Sequence, residues 1–338
     1  MELKRIAIDT SKWVFTLHGV DAEERPVLRR DLRRGQLVAF FTKLAPTEVV
    51  LEACGGSHHW ARTLSRLGHR VGLIPPQYVK PFVKRGKTDR NDAEAISEAA
   101  SRPAMRRVAI KSAAQQADAV TLSARELLVA QRTQTINALR GHAGEFGVVV
   151  AGGANRVAEL LAAVAQEADM PPTARRLLAF LGQQVAHFDR EIAKLDTALM
   201  RQHKANPVSQ LLAEIPGIGP IGALTLAVRI EPAQFQSGRH LAAWIGLTPR
   251  EHSSGGKRRM GGISRAGDER LRQLLVLGAT AIIRYAKPGR SSAWLLSLLE
   301  RRPHKLAAVA LANKMARIAL AMMTTGEAYR RTPFAATA

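Results

Sequence analysis

The strongest constraint on this chain is a change of rhythm near Ser112. Before it, short apolar runs of strand length alternate with helical spacing; after it, to about Lys204, only helical periodicity remains. Leu3 to Asp9 reads as a strand. Trp13 to Val20 reads as a half-buried one, with Trp13, Phe15 and Leu17 alternating against Val14, Thr16 and His18. A third runs from about Arg25 to Leu32. Leu37, Phe40, Phe41 and Leu44 then fall at helical spacing. Thr47 to Glu52 is an apolar run closed by a carboxylate and the Gly55-Gly56 turn. A helix carrying Trp60, Leu64 and Leu67 follows, then the strand Arg70 to Ile74, ended by Pro75-Pro76.

Three antiparallel strands continued by parallel ones through crossover helices fit an α/β sheet of the ribonuclease H type over residues 1–111. Residues 112–206 read as a helical region. Within it Leu178, Leu181, Val185, Phe188, Ile192, Leu195 and Leu199 are spaced 3,4,3,4,3,4. That seam fits a coiled coil, which would make the protein an oligomer, and equally an amphipathic helix packed inside its own domain. Gly152-Gly153 suits a loop between helical hairpins. Residues 207–338 form a third, mainly α region, closed by an Ala-rich helix through Met323.

Charge narrows the partners. Fifty Lys and Arg stand against 28 Asp and Glu, a net of +22 in 338 residues, which points to a polyanion and above all to nucleic acid. The excess is dense between Arg239 and Arg290, where eleven basic residues face three acidic ones. A membrane partner is not expected. The most apolar stretch, Leu306 to Met323, is broken by Asn313, Lys314 and Arg317, and the N-terminus has no signal-like apolar core. A cytoplasmic protein associated with the nucleoid is the corresponding expectation. The single cysteine, Cys54, excludes an internal disulfide framework and a CxxC metal site; a small buried role is expected for it.

Four carboxylates stand out by position. Asp9 ends the first strand and Glu52 a later strand that would lie beside it. Asp89 and Asp92, three apart at a helix start, share a face with Cβ atoms about 5–6 Å apart. On a sheet of this type they converge at one end. Such a cluster needs cations, and hard oxygen donors favour Mg²⁺ or Mn²⁺, a pair of which can stabilise both the attacking and the leaving oxygen of a phosphodiester. Singly, each carboxylate has a plainer use: Asp89 as a helix cap, Asp92 on the helix dipole, Asp9 in a turn, Glu52 as a solvated strand end. Lys84-Arg85-Gly86-Lys87, just before Asp89, would draw a phosphate backbone in.

Two further segments invite phosphate. In Gly246 to Arg259, Ser253 and Ser254 lie beside Gly255-Gly256 and the cationic run Lys257, Arg258 and Arg259. Alone this reads as a solvated Ser/Gly loop. A serine becomes a nucleophile only where something lowers its pKa or takes its proton, for which neighbouring cations, a metal or His252 are candidates. Pro216-Gly217-Ile218-Gly219-Pro220 between apolar helices reads either as a helix–hairpin–helix that offers backbone N–H groups to phosphate or as an ordinary interhelical turn.

Together these segments resemble the DEDD transposases of bacterial insertion sequences, the IS-one-ten group related to the Piv invertase. The N-terminal likeness rests on Ile6-Ala7-Ile8-Asp9-Thr10-Ser11-Lys12, Leu51-Glu52-Ala53 and Lys87-Thr88-Asp89-Arg90-Asn91-Asp92-Ala93. The C-terminal likeness rests on Ile215 to Gly219, Gly246 to Pro249, Ser253 to Lys257, Gly262 to Gly267, Leu271-Arg272 and Ala312 to Arg317, in family order. The resemblance implies a RuvC-like domain whose Asp9, Glu52, Asp89 and Asp92 hold Mg²⁺ or Mn²⁺. It also implies a C-terminal transposase domain whose serine, here Ser254 rather than Ser253, attacks DNA covalently. Composite sites in a dimer or tetramer, and a structured bridge RNA that pairs with donor and target DNA, are further implications. The expectation is a recombinase that excises and inserts its own element, with Gly217, Gly219, Lys257, Arg258 and Arg259 on nucleic acid. The alternatives are a RuvC-type junction nuclease using water instead of Ser254, and a non-catalytic nucleic-acid-binding protein.

Overall fold

The computed structural model describes residues 3–330 apart from Arg85, Lys87 and Arg290, and divides the chain into two compact units, residues 1–116 and 117–338. In the first, β1 (Arg5–Thr10), β2 (Val14–Val20) and β3 (Pro26–Arg33) precede α1 (Leu37–Thr42) and β4 (Glu48–Glu52). Next come α2 (Ser57–Arg66), β5 (Arg70–Ile74), the short α3 (Pro76–Val79) and α4 (Asp89–Ser101). The sheet order is β3-β2-β1-β4-β5, antiparallel from β3 to β1 and parallel from β1 through β4 to β5.

Alternation along β1 and β4 separates two cores. Ile6, Ile8, Val49 and Leu51 pack with Phe41, Trp60 and Leu64 of α1 and α2. Ala7 and Val50 point the other way and pack with Ala95, Ile96 and Ala99 of α4. Both faces are therefore covered by helices, and β2 is buried from Phe15 to Val20 instead of alternating. The half-buried reading of that strand is corrected accordingly. Trp13, placed by the sequence pattern on its buried face, stands ahead of the strand and is 75% exposed. Cys54 also departs from expectation: it is exposed in the turn after β4, its Sγ 3.4 Å from Thr10 Oγ1. Residues just past the carboxyl ends of β1 and β4, Ser11 and Lys12 and Cys54 to Gly56, are exposed.

The second unit is helical apart from one hairpin. α5 (Ala113–Gly144) leads into it, followed by α6 (Val157–Gln166) and α7 (Pro172–Ala205). The α5 and α7 helices run antiparallel, each about 50 Å long at the usual rise. Arg132 donates to Asp189 at 2.7 Å, and Arg125 pairs with Asp196. The seam on α7 is covered by the chain's own helices. Leu178 and Val185 pack with Ile136 and Leu139 of α5 and Leu160 and Val164 of α6. Gly182 lets Leu161 approach to where a Cβ would stand 2.5 Å away. Leu178, Val185, Ile192 and Leu199 are thus buried within the chain, while Leu181, Phe188 and Leu195 are half-buried.

Further on lie α8 (Pro207–Leu212), α9 (Pro220–Arg229), α10 (Gly238–Trp244), β6 (Pro249–Glu251), β7 (Met260–Ile263), α11 (Glu269–Arg284), α12 (Ala293–Arg301) and α13 (His304–Thr325). The regions expected at 112–206 and 207–338 share this one unit. Leu122 and Leu199 pack against Leu224 and Val228, and Arg229 joins Asp268 at 2.9 Å and Glu126 at 3.4 Å. By length and composition α13 could cross a membrane. Here it is the core helix: Ala307, Leu311, Ala312, Met315, Ala316 and Ala319 are buried among α8, α10 and α11. Asn313, one of the residues that break its apolar run, donates from Nδ2 to the Leu247 carbonyl.

Candidate active site

Three elements of the first unit bring the expected carboxylates together. Ile8 pairs with Leu51 across β1 and β4, so Asp9 and Glu52 are neighbours one step further on. Both project to the α4 side, where Ala7 and Val50 lie two residues earlier. From above, α4 contributes Asp89 and Asp92. Its start is fixed by Thr88, whose hydroxyl accepts from the Asn91 N–H at 3.2 Å. The cap is Thr88, so the plainer use of Asp89 as the capping residue does not hold.

Oxygens of Asp9, Asp89 and Asp92 lie within 4.8 Å of one another. Burial pushes the Asp9 carboxyl up to about 6, reinforced by the charges of Asp92, Asp89 and Glu52 and opposed by the Thr10 N–H. Glu52 is also raised, first by burial and then by Asp92. Mutually repelling carboxylates, half-buried at Asp9, Glu52 and Asp92 and exposed at Asp89, form a donor set that a small hard cation would relieve. All-oxygen ligands without His or Cys fit Mg²⁺ or Mn²⁺ and not a soft metal. Of the cationic segment before α4, Lys84 is paired with Glu94 at 2.6 Å, and Arg85 and Lys87 lie outside the described residues.

The expected loop around Ser254 is a β-hairpin. β6 and β7 pair antiparallel, and Ser254 bridges Lys257 across a tight turn. The Lys257 N–H donates to the Ser254 carbonyl at 3.1 Å. Gly255 and Gly256, at φ of 56° and 75°, occupy the two left-handed positions of a primed turn. The two serines differ sharply. Ser253 Oγ donates to Glu251 at 2.8 Å and accepts from the Arg259 N–H at 3.1 Å. Among the described residues no hydrogen bond engages the Ser254 hydroxyl. Lys257, Arg258 and Arg259 are exposed, and none makes an ion pair with a described residue. His252 is exposed too, and donates its N–H to the Arg259 carbonyl.

At the glycine turn, Gly217 (φ 81°) presses against α11: a Cβ there would stand 2.8 Å from the Gly278 carbonyl oxygen. Packing alone requires a glycine at this point. Gly219 precedes Pro220 at the start of α9 and faces open space, which leaves that backbone accessible.

A mixed sheet with an all-oxygen donor set at one end is an arrangement that could hold divalent cations at a phosphodiester. Comparison with known sequences narrows this. Residues 6–146 match the DEDD transposase family of IS110 type, and residues 209–294 match the transposase IS116/IS110/IS902 family. The y4pF/y4sB protein of Sinorhizobium fredii is 54% identical over 98% of this chain and 86% of its own length. The transposase for insertion sequence element IS1111A of Coxiella burnetii is 42% identical over 97% of this chain and 92% of that protein. The pilin gene-inverting protein of Moraxella bovis is 32% identical over 31% of this chain and 34% of that protein. The chain belongs to the IS110/IS116 family of DEDD transposases. It is thus of a class that acts on DNA by cutting and rejoining it, and whose DEDD domains work with divalent metal.

Proposed function

We propose that this transposase excises and inserts its own insertion sequence by metal-assisted serine attack on DNA. The observation that carries the reading is the cluster of Asp9, Asp89 and Asp92 oxygens from β1 and α4, with the charge of Glu52 on β4 close enough to raise the Asp9 carboxyl. The strand order supports a RuvC-like, ribonuclease H type of domain. Mg²⁺ or Mn²⁺ held by the four carboxylates would supply charge stabilisation to the scissile phosphate. The chain's own part begins at Ser254. Its Oγ attacks phosphorus and yields its proton to solvent, and the P–O bond to the neighbouring sugar breaks, leaving a phosphoserine and a free hydroxyl end. Attack by the hydroxyl of a partner strand re-forms a phosphodiester and releases Ser254, so no bond energy is spent. Lys257, Arg258, Arg259 and the backbone at Gly217 and Gly219 would hold phosphates without reading sequence.

The open hydroxyl of Ser254, set against the engaged one of Ser253, favours Ser254 as nucleophile. Sequence choice is assigned to an element-encoded bridge RNA, and complete sites to a dimer or tetramer in which one protomer's serine meets another's carboxylates. The test is a denaturing gel of protein, Mg²⁺, element ends, target DNA and RNA from the flanking region. A protein–DNA adduct lost in both Ser254→Ala and Asp9→Ala is expected. Metal-dependent nicks that survive Ser254→Ala without any adduct would replace this reading with a junction nuclease. That second reading draws on one observation: no described side chain accepts the Ser254 proton.

A further inference from the structure

A separate cavity opens on the α4 side of the sheet, further out than the carboxylates. Across the antiparallel strands Asp9 stands opposite Thr16, and Thr16 opposite Asp31; the next row on that side is Ala7, His18, Arg29. Directly opposed residues share a face, and strands are about 4.8 Å apart. The rows therefore lead outward from Asp9, and α4 spans both places. A cavity of about 220 Å³ lies between β2 and β3 on one side and the first turns of α4 on the other.

Its lining suits an anion. Arg29 and Arg90 bring two guanidinium groups, Arg90 at 4.0 Å from Asp31, while the Arg30 guanidinium lies over Phe40 on the other face of the sheet. The two carboxylates present are already engaged: Asp31 accepts from Thr16 Oγ1 at 2.8 Å, and Glu94 from Lys84 at 2.6 Å. A cation would meet the guanidinium groups first. The start of the 13-residue α4 adds first-turn N–H groups with no acceptor one turn back. Thr88 uses its hydroxyl oxygen as the cap, so its hydroxyl proton is left to donate into the cavity.

His18 is the independent sign of a ligand. It is 5% exposed and lines the cavity, yet among the described residues no hydrogen bond engages its ring. The other buried histidine of this unit, His69, is fully used: Nδ1 accepts from the Thr47 N–H, and Nε2 lies 3.0 Å from the Phe41 carbonyl. The His18 ring nitrogens are not sealed off, so whatever enters the cavity completes their hydrogen bonds.

We propose that this cavity holds a backbone phosphate of the DNA strand lying at the carboxylate cluster, a nucleotide or two from the scissile one, with His18, Arg29 and Arg90 as its ligands. The proposal rests on the reading of that cluster as the place of strand cutting. Its consequence is mechanical: a second fixed phosphate sets the register of the strand, so that one linkage and not its neighbour reaches the four carboxylates.

The test walks a single uncharged methylphosphonate along each strand of the element-end DNA and measures affinity for the full-length protein, with and without Mg²⁺. One linkage near the cut should weaken wild-type binding about tenfold. In Arg29→Ala, Arg90→Ala and His18→Gln that penalty should vanish while penalties elsewhere persist. The two arginines are exposed, so their variants keep the test decisive if His18→Gln unfolds. An interference profile identical in wild type and variants, or a uniform loss at every position, overturns the proposal. So does a coupling found only with methylphosphonates in the RNA. Cutting is scored separately, on wild type against Asp9→Asn. If wild type fails to cut while Arg29 still couples to one linkage, the reading of the cluster falls and the phosphate site stands.

Discussion

Replacing Asp9 by asparagine should make the metal-free protein more stable while abolishing its activity. Asp9 is held near 6 by burial and by Asp92, Asp89 and Glu52, against 3.8 for an ordinary aspartate. Holding its charge in the fold at neutral pH costs about 3 kcal/mol by linkage. Asp9 is only half-buried, and solvent screening brings the expected gain to about 1–2 kcal/mol. The amide keeps an oxygen for the Thr10 N–H, so no hydrogen bond need be lost. The sign with pH follows. Below about 4 the carboxyl is protonated both folded and unfolded, and the penalty is absent. It grows as pH rises from about 4 through about 6, and is full above. Thermal melts of the metal-free proteins should therefore coincide near pH 4 and separate by roughly 4–10 °C at pH 7.5, with the variant higher. Mg²⁺ should reverse the order, because only the wild type gains from binding, by about 2.7 kcal/mol at a hundredfold excess over Kd. An asparagine variant that melts lower at pH 7.5 without metal, or that gains as much from Mg²⁺ as wild type, would refute the reasoning.

Four further outcomes are expected. Ser254→Ala should leave stability within about 0.5 kcal/mol of wild type while removing the covalent adduct on denaturing gels, since its hydroxyl holds nothing in the fold. Gly217→Ala should cost roughly 2–4 kcal/mol in urea denaturation, from a left-handed backbone plus contact with the Gly278 carbonyl; an unchanged midpoint would remove the packing account. Replacing Lys257, Arg258 and Arg259 together by alanine should flatten the log–log salt dependence of duplex binding by about 2.7, at 0.9 per phosphate released. Val185→Ala should lower the stability of the dilute protein by about 1–3 kcal/mol whatever its oligomeric state, because Val185 packs against α5 and α6 of its own chain; a loss seen only at concentrations where copies dissociate would restore the intermolecular seam.

Much of the first unit was legible because strand, turn and helix signals there are local. The apolar run Thr47 to Glu52, the Gly55-Gly56 turn and Pro75-Pro76 mark their own boundaries, and the spacing of Asp89 and Asp92 places both on one helical face. The two misjudged residues failed for one reason. Whether Trp13 or Cys54 is covered depends on which end of the sheet the helices leave open, and nothing in the neighbouring sequence records that. The α7 seam is similar: a 3,4 repeat demands burial but does not say by what, and only the antiparallel run of α5, pinned through Arg132 and Asp189, supplies the answer.

The sequence by itself determined the element order of residues 1–111, the net charge of +22 and the identities of the four carboxylates. Each follows from composition or from periodicity over a few residues. Tertiary structure alone decided the rest. It set Ser254 free and tied down Ser253, because the hairpin register aims one hydroxyl at Glu251 and Arg259 and the other at solvent. It placed His18 beside Arg29 and below α4, a neighbourhood made by strand pairing across eleven residues and a helix seventy residues on. It raised Asp9 to about 6, since a carboxyl's affinity for its proton answers to the charges and burial around it and not to its neighbours in the chain.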